Sequence, residues 1–456
     1  MNSAFAEDVI KKALQRGCDA AEVFIKNSKG ISIEAKDGDV EALEASLDFG
    51  MALRVIKKRK LGFAFTTSPE YLEATMEEAV QGAEWTGMDE CVDVPDYISS
   101  SGPVLIYDEK IKNVKEGDVI KDALLLEESA LAFDDRIKKV RKAAVEARTE
   151  STAVMNSKGV NVAYEGTYYS ANVTTLAREG DDSQMGWDFA AVRRMSDMDL
   201  VSVGRAASKR ALELLGSRRI SAVKAPVILS PDIAVSFLRI LSASLSAEAV
   251  QKKRSFLADK VGGSVTSRLI DIIDDGTMEW GAGTMPVDDE GSPVSFNKII
   301  SKGILNGYLH NAYTAKKSGV KSTGNAVRGS FKSLPGINVT NFYIKAAEER
   351  ESGVRSQKSE EKKNKDSKLI RSLSRGILIL SAMGVHTANP ISGDFSVGIS
   401  GLWIENGEPL YPVKEAVISG NILEMFKKVE GVGEDLKFYG NIGSPSLLIG
   451  YMDISA

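Results

Sequence analysis

The stretch GVHTANPISGDFSVGISGLWIENGE, residues 384–408, carries the clearest structural signal in this chain. It contains His386, one of only two histidines among 456 residues. Small and apolar residues alternate over residues 393–401 with the two-residue period of a β-strand, and Asn406-Gly407 is a typical hairpin turn. Glycines in a strand let a neighbouring backbone or a ligand approach closely. The stretch therefore predicts a hairpin with a closely approached first strand.

The surrounding sequence, from about residue 220 onward, predicts a domain rich in β-structure. It begins with a helix start at Ser230-Pro231, followed by apolar residues at every fourth position from Ile233. From residue 261 onward, glycines and turn signals recur, and Asn306-Gly307 is a second hairpin candidate. We expect a curved, barrel-like sheet with one buried helix.

The N-terminal half predicts two smaller units with the same order of elements. In the first, a helix over residues 3–16 precedes strands that turn at Asp37-Gly38, and a second helix starts at Ser68-Pro69. A linker over 88–108 leads to a second helix, strand and helix series. The tetrapeptide Asn-Ser-Lys-Gly occurs at 27–30 and again at 156–159, which hints at a duplication. The fold class is therefore α+β: two small N-terminal α/β units and a larger, β-rich, barrel-like C-terminal domain. The predicted domains are 1–108, 109–219 and 220–456.

Composition excludes several functional classes. A net charge of -5 and a pI near 5.5 argue against a broad nucleic-acid-binding face. Two cysteines suit a reducing compartment better than a disulfide framework. No signal peptide and no apolar run of roughly 18 residues is evident, so we expect a cytoplasmic protein without membrane contact.

One segment, residues 345–368, differs from the rest of the chain. It has 14 charged residues among 24 and no aromatic residue. Such a composition offers too little apolar surface to form a core. We predict a mobile, charged loop in the C-terminal domain and assign it no function.

The residues do not predict a metal or cofactor site. A catalytic zinc needs three protein ligands and an open position, whereas His310 and His386 lie 76 positions apart without a second histidine or a cysteine nearby. The acidic run Asp288-Asp289-Glu290 could bind a hard cation, but it is more typical of a solvated turn.

A nucleophilic site near His386 has only weak support. Ser392 and Asp394 are close to it in sequence, yet no glycine-framed elbow surrounds the serine. A polar, hydrogen-bonded histidine at the end of a strand is the plainer interpretation.

Several segments together resemble the TldD/PmbA family, whose members are also known as modulators of DNA gyrase. They occur in the expected order over nearly the whole chain: residues 17–22 (GCDAAE), 50–62, 288–293 (DDEGSP), 322–328 (STGNAVR), 384–408 and 432–444.

The resemblance is to the branch of this family without a zinc motif. The TldD branch carries an HExxxH helix and a C-terminal cysteine that hold zinc, and the PmbA branch, also known as TldE, lacks them. The corresponding helix here spans 231–251, and its stretch 241–248 reads LSASLSAE. The C-terminal end, residues 443–445, reads GSP without a cysteine.

The resemblance implies a metal-free, cofactor-free subunit that is inactive alone within a complex that cleaves unfolded or modified peptides. Its expected partners are a TldD-like zinc-binding paralogue and a peptide substrate, and a homodimer of the isolated chain stays open. No catalytic residue is assigned. The residues expected to bind peptide or line the cavity are His386, Asn389, Ser392, Asp394, Gly398 and Gly401. The alternatives are an autonomous hydrolase near His386 and a binding adaptor acting on a partner such as DNA gyrase.

Overall fold

The structure, a computed structural model, describes residues 3–98, 102–347 and 367–455. The helices of this part are α1 (Ser3–Gln15), α2 (Leu72–Trp85), α3 (Glu109–Lys112), α4 (Glu116–Leu131), α5 (Leu200–Glu213), α6 (Pro231–Ser244), α7 (Ala247–Gln251), α8 (Ala312–Ser318), α9 (Ser367–Arg371) and α10 (Ile422–Lys427). The strands are β1 (Ala20–Lys36), β2 (Asp39–Lys57), β3 (Lys60–Thr66), β4 (Ile137–Asn156), β5 (Asn161–Glu179), β6 (Asp182–Val192), β7 (Val223–Leu229), β8 (Ile272–Asp275), β9 (Phe296–Ser301), β10 (Ile304–Leu305), β11 (Ala326–Val327), β12 (Gly336–Ile337), β13 (Phe342–Ile344), β14 (Arg375–Met383), β15 (Asp394–Glu405), β16 (Glu408–Asn421), β17 (Val429–Val432), β18 (Lys437–Tyr439), β19 (Ile442–Ser444) and β20 (Leu447–Ser455).

The two N-terminal units form one six-stranded sheet. Its strand order, β3-β2-β1-β4-β5-β6, is symmetric about the antiparallel pair β1–β4. Each half has the order helix, long strand, long strand, short strand, helix, so the predicted repetition of two α/β units is confirmed. The division into domains 1–108 and 109–219 stays a prediction, and the structure adds that the first two units share this sheet.

The tetrapeptide that suggested a duplication does not mark equivalent positions. Residues 27–30 lie in the middle of β1, whereas residues 156–159 start the turn between β4 and β5. The equivalent turn in the first unit is Asp37-Gly38, where both residues have positive φ angles of 57° and 80°. This is the left-handed conformation that a tight hairpin turn needs.

The helices cover two ends of one face of the shared sheet. Helices α1 and α2 bury Val9 and Met76 against the first end, beside Leu53 of β2. Helices α4 and α5 bury Leu126 and other apolar side chains against the second end, beside Val145 of β4. Each unit therefore closes its own apolar core on the common sheet.

The C-terminal region contains a closed five-stranded barrel, as predicted. Strands β16, β15, β14, β7 and β20 pair in that order, and β20 pairs back with β16 through Val417–Ser455 and Ile418–Ile454. The apolar stripe of α6 is buried in the same core as the barrel strands: Phe237 is fully buried, as is Leu241. A closed barrel leaves no free edge on these strands.

A second sheet lies beside the barrel, with the order β10-β9-β8-β13-β19-β18. The predicted hairpin turn at Asn306-Gly307 is wrong. The chain turns at Lys302-Gly303, with φ angles of 45° and 81°, and Asn306 follows the short strand β10. By contrast, Asn406 (φ 52°) and its following glycine form the predicted turn between β15 and β16.

The prediction of a mobile loop over residues 345–368 falls mostly on residues 348–366, which lie outside the described residues. Among the helices of the described ranges, none is both long and apolar enough to cross a membrane.

Candidate functional site

A cavity of about 540 Å³ lies where the C-terminal end of α6 meets β19. Ser242 and Ser246 line one side, from the last turn of α6 and the residue before α7. Asn441 and Ile442 line the side of β19, and Leu309 and residues 337–339 complete the wall. The helix predicted over 231–251 is interrupted at Leu245 and Ser246, which separate α6 from α7. The two segments that the family resemblance relates to the zinc-binding parts of the TldD branch, 231–251 and 443–445, lie beside this one cavity.

The cavity has a cationic lining. Its charged residues are Arg239, Glu248, Lys252 and Arg254. The only carboxylate among these lining residues, Glu248, accepts a hydrogen bond from Lys252 Nζ over 2.5 Å. Neither arginine forms an ion pair with a carboxylate of the described residues. The positive charges of Arg239 and Arg254 are therefore not neutralised by any carboxylate of the described residues.

The donor set of this cavity does not fit a catalytic zinc. Zinc takes histidine nitrogen, cysteine sulfur or carboxylate oxygen, and the lining offers one carboxylate that already binds a lysine. Across residues 3–98, 102–347 and 367–455, no group of three or more His, Cys, Asp or Glu residues could hold a metal ion. His310 follows the lining residue Leu309, but its side chain is buried, its Nδ1 has no hydrogen-bond partner, and burial lowers its pKa.

The predicted site residues around His386 form one polar loop outside this cavity. Asn389 Oδ1 accepts hydrogen bonds from the backbone amides of Ile391 and Ser392. The Ser392 hydroxyl donates to Asp394 Oδ2 over 2.7 Å, and Asn421 Nδ2 donates to Asp394 Oδ1 over 2.9 Å. These bonds from Asn421 and Ser392 lower the pKa of Asp394.

The loop does not assemble a serine nucleophile with a histidine base. His386 is exposed on a short 3₁₀ turn, and no hydrogen bond joins it to Ser392 or Asp394, all of which are described. The loop does touch the end of α6, because the Ser244 hydroxyl donates to the Pro390 carbonyl oxygen over 3.4 Å. It therefore lies near the cavity without lining it.

The two predicted glycines differ in their surroundings. A Cβ added at Gly401 would lie 2.0 Å from the Leu378 carbonyl oxygen of the neighbouring strand β14. A Cβ added at Gly398 would meet no atom within 4 Å. Close backbone packing explains the first glycine, whereas the space beside the second is free.

In the acidic turn at 288–290, Asp288 and Glu290 are buried and Asp289 is half-buried, so the expectation of a solvated turn is wrong. Asp288 is fully buried and accepts hydrogen bonds from the backbone amides of Glu290, Ser292 and Ala326. Burial, reinforced by the charge of Glu290, raises the pKa of Asp288. The turn is held by backbone donors that sequence spacing does not reveal.

Glu290 also belongs to a buried charge cluster that sequence reasoning missed. Arg54 donates to Glu22 Oε2 over 2.5 Å and to Glu290 Oε1 over 2.7 Å, and Arg328 donates to Glu22 Oε1 over 2.5 Å. Burial alone lowers the pKa of Arg54, but the two carboxylates outweigh it and raise that pKa. The cluster links the N-terminal sheet to the C-terminal region.

A signal for this cluster was present in the sequence. The segments 17–22, 50–62, 288–293 and 322–328, which carry part of the family resemblance, each supply one of its four charged residues. All four segments therefore meet at the contact between the N-terminal sheet and the C-terminal region.

Comparisons with known proteins cover nearly the whole chain. Sequence profiles described as PmbA/TldA metallopeptidase domain 1, central domain and C-terminal domain match residues 21–84, 109–215 and 222–456. A metalloprotease PmbA of Escherichia coli O157:H7 is 28% identical over 457 aligned positions, covering 98% of this chain and 96% of that protein.

Solved structures agree with this match. A candidate modulator of a DNA gyrase from Thermotoga maritima has a TM-score of 0.88 at 26% identity, covering 99% of both chains. TldE from Thermococcus kodakarensis has a TM-score of 0.87 at 22% identity, covering 99% of this chain and 100% of that one. At this lower identity the likeness concerns the fold alone.

Proposed function

The chain belongs to the PmbA/TldD metallopeptidase family, and on that premise we propose that it is a metal-free, non-catalytic subunit of a TldD/TldE-type peptidase complex. The complex would cleave unfolded or modified peptides. The chain would need a TldD-like zinc-binding paralogue as its partner, and the scarcity of cysteine supports a cytoplasmic location as part of the proposal.

The observation that carries this proposal is the cavity between α6 and β19. The resemblance implies that the TldD branch holds zinc with residues of this helix and with a cysteine near this strand. Here Ser242 of α6 and Ser246 before α7 line the cavity, and β19 ends at Ser444 outside the lining. Serine hydroxyls do not replace the histidine and thiolate ligands of a catalytic zinc. On the correspondence that the resemblance implies, the residues that line this cavity include no histidine and no cysteine.

The loop around His386 supports a role beside the peptide path. Its predicted residues lie next to the end of α6, and the free space beside Gly398 suits the close approach of another chain. We propose that the following residues bind peptide: His386, Asn389, Ser392, Asp394 and Gly398. Gly401 is not included, because its close packing against the Leu378 carbonyl already explains the glycine.

An autonomous hydrolase is not favoured, because the Ser392 hydroxyl donates to Asp394 and no histidine accepts its proton. Neither this alternative nor the gyrase adaptor is proposed.

The test is reconstitution with a paralogue that carries HExxxH. The chain and the paralogue are purified separately and mixed, and cleavage of a denatured protein is measured by mass spectrometry. We expect no cleavage by this chain alone and strong cleavage by the mixture. The matched control is a paralogue whose HExxxH glutamate is changed to glutamine, which should silence the mixture. Cleavage by this chain alone, or by the silenced mixture, would refute the proposal.

A further inference from the structure

We propose that the cationic cavity between α6 and β19 binds the free carboxylate of a short peptide. Arg239 lies on α6 and Arg254 follows α7, and both contribute to the lining. The identification of the ligand as a peptide rests on the proposed function. The preference for an anion rests on the cavity alone.

The charge balance of the lining favours an anionic ligand. Lys252 is already paired with Glu248, which leaves the two arginines as cations that no described carboxylate neutralises. Guanidinium groups bind carboxylates through paired, charge-assisted hydrogen bonds, which are stronger than bonds between neutral groups. A ligand carboxylate would therefore satisfy charges that no carboxylate of the described residues pairs with.

The size and walls of the cavity favour a ligand larger than a single ion. Its volume of about 540 Å³ is in the range of sites for small organic ligands. Besides two alanines, four larger apolar residues share the lining and can contact side chains of the ligand: Leu309, Ile337, Val339 and Ile442. An apolar peptide end that carries a carboxylate matches both parts of the lining.

Asn441 adds a place for a peptide amide. Its Nδ2 donates to the Val339 and Thr340 carbonyl oxygens over 3.2 and 2.7 Å. Both amide hydrogens are therefore engaged, and Oδ1 can accept an N–H from the ligand. The cavity thus combines guanidinium donors for a ligand carboxylate with an acceptor for a ligand amide.

The test measures binding of two labelled peptides to the isolated full chain by fluorescence anisotropy. The peptides have the same short apolar sequence and differ only in a free or an amidated C-terminus. We expect the free carboxylate to bind at least about tenfold more tightly, because charge-assisted bonds to a bound ligand are worth that much. Inorganic phosphate is added as a competitor to distinguish a simple ion site.

The variant Arg239→Gln/Arg254→Gln should abolish the difference between the two peptides. Lys253→Gln/Arg268→Gln removes the same charge from residues outside the lining and should preserve the difference. The side chains of both pairs are exposed, so we expect both double variants to fold. A thermal melt of each variant checks this. If the double arginine variant melts at a lower temperature than the wild type, the two single arginine variants are used instead.

Equal binding of the two peptides, absence of binding, or a difference that survives in the arginine variant would overturn the proposal. Displacement of the peptide by phosphate at equal concentration would show an ion site without peptide recognition and would overturn it too. None of these outcomes depends on a paralogue, so they are separate from the reconstitution result.

Discussion

Glu22 accepts a hydrogen bond of 2.5 Å from Arg328, although the two residues lie 306 positions apart in the chain. Both side chains are buried, and Arg54 and Glu290 complete the cluster. The contact fixes the N-terminal sheet against the C-terminal region. Because the second carboxylate oxygen of Glu22 binds Arg54, one residue serves two buried guanidinium groups.

Glu22→Gln should destabilise the chain by about 3–5 kcal/mol, because it removes the charge that compensates two buried arginines. Urea denaturation followed by circular dichroism measures this change. Glu41→Gln is the control, since Glu41 pairs with Lys36 at the surface over 2.7 Å, and its loss should cost at most about 1 kcal/mol. Similar losses for both variants would show that the buried cluster contributes little to stability.

The pH dependence of stability should contain a contribution from Asp274. Burial raises its pKa from 3.8 to about 6, although hydrogen bonds from Asn325 and Thr340 oppose the shift. The folded chain therefore holds this proton more tightly than the unfolded chain does. The resulting stabilisation is present at the lower pH and is lost as pH rises from about 4 through about 6.

The raised pKa of Asp274 corresponds to a change of roughly 3 kcal/mol at most in the free energy of unfolding. Unfolding free energies of the wild type and Asp274→Asn are compared between pH 4 and pH 7. The wild type should lose stability relative to the variant over this interval. A constant difference would mean that Asp274 does not titrate there.

Gly401→Val should destabilise the chain by about 3 kcal/mol or more, because its side chain would collide with the Leu378 carbonyl. Gly398→Val should fold normally, since its side chain enters free space and valine suits a strand. Thermal melts of the two variants measure the contrast. Equal melting temperatures would contradict the difference in packing.

Gly398→Val also tests the predicted peptide path. We expect the folded variant to reduce cleavage by the reconstituted complex, because valine would fill the space beside β15. Gly82 of α2, where an added Cβ also meets no atom within 4 Å, provides a control as Gly82→Ala. Unchanged cleavage with Gly398→Val would place the peptide elsewhere.

Features set by neighbouring residues could be predicted from the sequence. The Asn406-Gly407 turn and the buried stripe of α6 follow from local backbone preference and helical spacing. The hairpin turn predicted at Asn306-Gly307 was wrong, because the chain already turns at Lys302-Gly303, where both residues have the left-handed conformation. An Asn-Gly pair alone does not force a hairpin.

Features set by distant contacts could not be predicted in this way. The charges of Glu22 and Arg328 are typical of a surface, and only the fold brings them together away from water. The cavity beside α6 could not be predicted for the same reason, since its lining comes from separate segments of ordinary composition. The role of the residues around His386 as a peptide site stays a prediction.

The zinc content of the isolated chain tests the proposed metal-free role most directly. It is measured by elemental mass spectrometry after purification without chelator. The expected value is far below one zinc ion per chain, because the cavity at α6 and β19 supplies no histidine or cysteine ligand. The complex with the HExxxH paralogue should carry the zinc of the paralogue alone. One tightly held zinc per isolated chain, lost on His386→Ala or His310→Ala, would contradict the proposed role.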